Sequence, residues 1–163
     1  TDYGYTKLKG EQFVKENAKK WCIARPSVIY GWGPKHKQNF ATWLMNNLNQ
    51  RREVKVLTDQ YVSPTLNTNL AEMLLEIADR RINGILHTAG ATRLSRHEFA
   101  LKLAETFNLN MDLIKPAKMD AMPWKAKRPK DSSLNVRKAS ALLNTKPVKL
   151  DQALETMRTT YAV

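Results

Sequence analysis

The 163-residue chain has one cysteine, six glycines and fifteen acidic residues, and each shortage excludes something. A single cysteine, Cys22, forms no internal disulfide, which fits a reducing compartment. Lying between Trp21 and Ile23, it reads as a buried strand residue. No run of about 18 apolar residues occurs, so no membrane-spanning helix is expected, and the opening residues do not read as a signal peptide. A cytoplasmic location is the expectation. The few glycines nowhere form a Gly-x-x-Gly-x-x-Gly loop, which would present backbone N–H groups and a helix N-terminus to a dinucleotide pyrophosphate. Acids are outnumbered by 27 Lys and Arg, giving a net charge of +12. Such a field draws anions, whether nucleic acid, nucleotide cofactor or nucleotide-linked substrate. The basic residues are spread along the chain, and the densest run, Lys115 to Lys130, is broken by prolines and a tryptophan. No nucleic-acid arm is read there. His36, His87 and His97 show no ligand spacing, so no metal site is expected.

What remains is the composition of a folded domain, 42% hydrophobic and 26% charged. Residues 3–19 read as a helix and WCIAR (21–25) as a strand closed by Pro26. SVIYGWGPK (27–35) reads as a loop. Phe40 to Asn49 has a helical apolar face of Phe40, Trp43, Leu44 and Leu48. EVKVL (53–57) alternates like a strand, SPT (63–65) reads as a turn, and Asn69 to Arg80 as a helix. GILHTAG (84–90) is a strand between glycines. Ser95 with Glu98 forms a capping box for a helix striped by Phe99, Leu103 and Phe107. Residues 111–132, broken by Pro116, Pro123 and Pro129, are expected to be mostly loop. Two short helices, Val136 to Leu143 and Leu150 to Tyr161, close the chain. Trp32 and Trp124 lie in loops, where covering the core is favoured over lining a cleft. Alternating strands and helices predict an α/β fold with parallel pairing, although only three good strands are visible.

The opening helix carries two Tyr-x-x-x-Lys pairs, Tyr3 with Lys7 and Tyr5 with Lys9. At about 100° per residue, Tyr3, Lys7, Gly10, Val14 and Ala18 fall within a sector of roughly 80°. That stripe, small or apolar apart from the pair, is expected to face protein. Tyr5 and Lys9 share the opposite side with Gln12, Glu16 and Lys19. An ammonium beside a phenol favours the phenolate, which suits proton transfer near neutral pH. The plainer alternative is a lysine stem lying along a half-buried tyrosine.

The string Y-G-Y-T-K-L-K-G-E, followed by an apolar strand and R-P-S-V-I-Y-G, resembles the extended short-chain dehydrogenase/reductase family. Thr6 before Lys7, with Gly10 and Glu11 after it, fits that family's pattern in the Tyr3 register only. DQYVSPT (59–65), NF (39–40), GILHTAG and RPKDSSLNVRKA (128–139) resemble, in order, segments of its dTDP-4-dehydrorhamnose reductase subgroup. The resemblance covers nearly the whole chain. It implies the C-terminal part of a Rossmann-type fold with a small α/β substrate domain. On that reading residues 1–163 are the C-terminal half of a larger NAD(P)-binding protein, with the substrate-binding subdomain mainly in 31–52 and 84–150. The N-terminal dinucleotide-binding half is absent, and the chain alone is expected to be inactive.

The resemblance also implies roles. Tyr3 and Lys7 are the catalytic pair, Tyr3 exchanging a proton with the sugar carbonyl or alcohol oxygen and Lys7 holding nicotinamide ribose hydroxyls. Pro26, Ser27 and Val28 lie along the nicotinamide of NADP or NAD, with strand-exit packing as their alternative. Val28, Asn39, Gln60, Thr65 and Arg128 are candidates for the substrate. Asn39 could instead cap its helix, Gln60 be a loop residue, Thr65 satisfy a turn and Arg128 be a surface arginine. The implied activity is NAD(P)H-dependent reduction of a nucleotide-linked 4-keto-6-deoxy sugar. Epimerase or dehydratase chemistry of the same family is an alternative. So is a regulatory binding subunit, because the methionine adenosyltransferase β subunit shares the pattern. Dehydrorhamnose reductases often carry an aromatic where Val28 stands. The missing half of the fold and a nucleotide sugar are the expected partners, with a homodimer left open.

Overall fold

The computed structural model describes residues 1–34 and 36–160. Lys35 of the 27–35 segment and Tyr161 of the last helix lie outside the described residues. Helix α1 spans Asp2–Asn17, capped by Thr1, whose hydroxyl accepts from the Gly4 N–H at 3.2 Å. Strand β1 (Cys22–Arg25) pairs in parallel with β6 (Gly84–His87), with Cys22 opposite Gly84 and Arg25 opposite His87. Between them run α2 (Phe40–Asn49), β3 (Val54–Leu57) and α3 (Asn67–Asp79). Beyond β6 come α4 (Arg96–Thr106), β8 (Ile114–Ala117), α5 (Arg137–Leu142) and α6 (Leu150–Thr160).

Four strands were missed by sequence pattern because they are only two residues long. β2 (Ile29–Tyr30), inside the expected 27–35 loop, pairs in parallel with β5 (Thr65–Leu66), which begins inside the expected SPT turn. β4 (Tyr61–Val62) pairs antiparallel with β7 (Leu94–Ser95). β8 was hidden for another reason. It lies in the stretch expected to be loop and contains Pro116, which has no N–H to give a ladder. It nevertheless pairs in parallel with β3, Pro116 standing opposite Val56.

The larger core joins α2, β3, α4 and α6. Leu44, Phe99, Leu103 and Leu154 are fully buried there, each worth about 1.5–3 kcal/mol of apolar burial. Tyr30 meets Phe99 edge-on with centroids 5.0 Å apart. Trp32 packs on this core and donates from Nε1 to the Met157 carbonyl at 2.7 Å. Trp124 instead stays on its loop, under the Arg128 guanidinium at 4.8 Å. A second, smaller cluster of Leu70, Met73, Ile77, Leu86 and Leu143 lies between α3, β6 and α5. Cys22 is half-buried beside it.

Helix α1 differs from these elements. It has no buried residue. Tyr3 is 74% exposed, and Lys7, Gly10 and Val14 are exposed too. Among the described residues, then, nothing buries the stripe that was expected to face protein. Helical spacing tells which residues share a face, not which face the chain covers. Only Glu11 and Gln12 of α1 are half-buried, and Ala18 lies beyond the helix as its extended C-cap. Glu11 ties the helix to β1, accepting from Arg25 through both carboxylate oxygens at 2.7 and 2.5 Å.

Candidate active site

A cleft of about 470 Å3 opens at the start of α1. Its lining includes Tyr3, Gln60, Arg96, Lys127, Arg128 and Ser132. Three of the residues singled out in the sequence, Tyr3, Gln60 and Arg128, thus meet around one concavity although they are far apart in the chain. The first turn of α1 presents Tyr3. Gln60 precedes β4 and is nearly fully buried. Arg128 stands on the proline-bounded loop after β8, exposed.

The two tyrosine–lysine pairs have the same local geometry. Lys7 Nζ lies 5.6 Å from the Tyr3 ring centroid, and Lys9 Nζ lies 5.6 Å from the Tyr5 ring centroid. What separates them is placement: Tyr3 lines the cleft and Tyr5 does not. Lys7 is exposed and is not part of the lining.

The strand exit Pro26–Val28 is held beside the cleft by hydrogen bonds. Ser27 Oγ donates to the carbonyl of Ser132, which lines the cleft, at 3.2 Å. Thr65 Oγ1 donates to the Ser27 carbonyl at 2.5 Å and the Thr65 N–H to the Val28 carbonyl at 3.0 Å. Val28 is thereby fixed at φ 38°, a conformation a β-branched residue adopts only under constraint. Pro26 is exposed and Val28 half-buried against the core.

These bonds change the reading of two candidates. Thr65 is fully buried and also accepts from the Gly90 N–H at 3.2 Å, so its hydroxyl positions the Ser27–Val28 backbone, as the turn alternative has it. Asn39 is the N-cap of α2, accepting from the N–H groups of Ala41 and Thr42 at 3.0 and 3.2 Å. Its amide donates to the Gly31 carbonyl at 2.7 Å. The capping alternative therefore describes Asn39, which is not part of the cleft lining.

Sequence reading missed Arg96. It is the first residue of α4, directly after the Ser95 cap. Its Nε donates to Gln60 Oε1 at 2.7 Å, and its guanidinium carbon sits 5.2 Å from the Phe40 ring centroid. Burial and the nearby Arg128 charge hold its pKa below the usual arginine value. The signal was available: a cation in the first turn of a helix opposes the dipole and calls for a reason. His97 follows Arg96 in that turn, and His87 Nδ1 lies 3.0 Å from the Asn135 carbonyl oxygen. Among the described residues no three His, Cys, Asp or Glu cluster in a way that could hold a metal ion.

Residues 1–163 match the family model described as the RmlD substrate binding domain. The chain belongs to that family. A dTDP-4-dehydrorhamnose reductase of Shigella flexneri is 30% identical over 147 residues, 83% of this chain and 48% of that protein. The methionine adenosyltransferase 2 subunit beta of Rattus norvegicus is 28% identical over 146 residues, 86% of this chain and 43% of that protein. The crystal structure of dTDP-4-dehydrorhamnose reductase from Bacillus anthracis in complex with NADP superposes with a TM-score of 0.88 at 28% identity, covering 97% of this chain and 55% of that one. The chain spans about half the length of the relatives it matches. Its α/β fold is that of the C-terminal part of an extended short-chain dehydrogenase/reductase. The family is sugar-nucleotide reductase-like, at modest identity. No helix among the described residues is long and apolar enough to cross a membrane.

Proposed function

We propose that the full-length protein reduces a nucleotide-linked 4-keto-6-deoxy sugar with NADPH or NADH. On this proposal the 163 residues are the C-terminal half of that protein, with the substrate subdomain mainly in 31–52 and 84–150. The observation that carries the reading is the meeting of Tyr3, Gln60 and Arg128 around one cleft. The chain's own residues fit a nicotinamide in part. Lys7 on α1 would hold the ribose hydroxyls, and Pro26, Ser27 and Val28, braced by Thr65, would lie along the ring. The nicotinamide, when bound, supplies the hydride.

The remaining work belongs to side chains. The Tyr3 hydroxyl donates its proton to the sugar oxygen that gains charge as the carbonyl is reduced, and recovers it from solvent. The Lys7 ammonium lies over the same ring, 5.6 Å from its centroid. Arg128, whose guanidinium has no carboxylate partner within 4.0 Å among the described residues, would take the diphosphate by two parallel hydrogen bonds. The Gln60 amide nitrogen is left to meet the sugar.

Oxidation of NADPH by the full-length protein, followed with a panel of nucleotide-linked keto sugars, tests the reading. Turnover lost in Tyr3→Phe, with an unchanged melting transition, is the expected result. Turnover surviving that change removes Tyr3 from the mechanism. A second reading, a binding subunit without turnover, is favoured by the similarity to methionine adenosyltransferase 2 subunit beta and by Val28 where reductases often carry an aromatic. Tight nucleotide binding with no NADPH oxidation across the panel would select it.

A further inference from the structure

We propose that Arg96 is an anion-holding residue of the Tyr3 cleft, taking a phosphate or diphosphate group together with Arg128. The inference rests on the cleft being a substrate site, as proposed above, and names the group that side would bind.

A guanidinium offers five N–H donors. In Arg96 the Nε–H is used by Gln60, and the two terminal nitrogens donate to no protein atom among the described residues. Nor does any carboxylate there come within 4.0 Å of it. The acids nearest in the chain or the loop are already engaged. Glu98 accepts from the Ser95 N–H at 2.6 Å to close the capping box. Asp131 accepts from Arg93 at 2.8 Å and from Ser133. Asp59 accepts from the Met119 N–H at 3.0 Å.

Arg96 is thus a largely buried cation with no counter-ion among the described residues, at the positive end of a helix and close to a second cation. Each of those three placements is unfavourable by itself. Gln60 and the Phe40 ring fix where the guanidinium points, but neither carries a neutralising charge. The cleft wall holds Arg96, Lys127 and Arg128 and no Asp or Glu. A planar fork with free donors, in a cleft whose charged side chains are all cations, suits a phosphate-type oxyanion. Binding would relieve the repulsion between Arg96 and Arg128 as well as form new bonds.

The probe is inorganic pyrophosphate, titrated by calorimetry into the full-length protein. Arg96→Gln should weaken binding about tenfold or more. Arg96→Lys should weaken it less, because charge survives while the fork is lost. Arg52→Gln, which removes the same charge from an exposed loop position, should leave affinity unchanged. Equal affinity in Arg96→Gln and Arg52→Gln would mean that only the net charge attracts the anion, and would overturn the proposal. Should Arg96→Gln fail to fold, the Nε–H resonance of Arg96 in the unaltered protein decides: it shifts on adding pyrophosphate, or the proposal is wrong. Competition of thymidine diphosphate and of NADP against pyrophosphate tells whether the natural phosphate comes from substrate or cofactor. Hydride transfer and pyrophosphate binding are separate readouts, so failure of the reductase reading and failure of this site look different.

Discussion

Helices α1 and α4 both start at the same cleft, yet they reach it by opposite means. Helix α4 delivers Arg96 from a body with four buried residues, Phe99, Ala100, Leu103 and Ala104. Helix α1 delivers Tyr3 from a body with none. The two-pronged Glu11–Arg25 contact ties it to β1. Among the described residues, one side of the site is therefore set by a dense core and the other by the Glu11–Arg25 contact. Within them, position on α4 is secured by burial, while position on α1 rests on local helix geometry and that tether.

The comparison is broken most forcefully from the packed side. Phe99→Ala removes a fully buried ring in contact with Tyr30 and Phe40. It should cost about 3–5 kcal/mol of unfolding free energy in urea titration. A similar loss from Phe13→Ala, on exposed α1, would erase the contrast. Thr65→Val keeps the shape but strands the Ser27 carbonyl and the Gly90 N–H. A loss of about 1–3 kcal/mol is expected, with Thr65→Ser recovering most of it.

Glu76 sharpens the comparison through pH. Its carboxylate accepts from the N–H groups of Asn144 and Thr145, both at 2.7 Å, and from Arg80. Those bonds, the Asn144 one foremost, lower its pKa from 4.5 to about 2. A depressed carboxyl pKa contributes stability above pH 4.5 that is lost as pH falls toward about 2. Glu76→Gln should flatten the melting temperature against pH in that window; an unaltered slope would show that other acids carry it. The smallest effect is expected at the tether. Arg25 holds the Glu11 carboxyl below the ordinary glutamate value, so the contact weakens on acidification. Glu11→Gln should cost under about 1 kcal/mol globally, the pair being partly exposed, but speed hydrogen exchange in α1 selectively.

The sequence was legible where side chains repeat. The apolar face of α2 and the Ser95–Glu98 capping box stand where spacing placed them. It was illegible where pairing is short or the partner distant. Nothing local to Ile29–Tyr30 announces Thr65–Leu66 as its neighbour, and Pro116 disguised β8. At the site, Tyr3, Gln60 and Arg128 came from motif order. Arg96 did not, because its meaning depends on Gln60 and Arg128, distant in the chain. The structural part of Thr65 was hidden for the same reason: only the fold shows its hydroxyl donating to the Ser27 and Ser63 carbonyls.

The central claim is that placement in the cleft, not the local Tyr–Lys geometry, makes Tyr3 the proton donor. Single-turnover oxidation of NADPH by the full-length protein, with Tyr3→Phe and Tyr5→Phe compared side by side, tests it most directly. The account predicts a rate at least about a hundredfold lower for Tyr3→Phe and a rate close to the parent for Tyr5→Phe. Equal rates in the two variants, or loss confined to Tyr5→Phe, would contradict it.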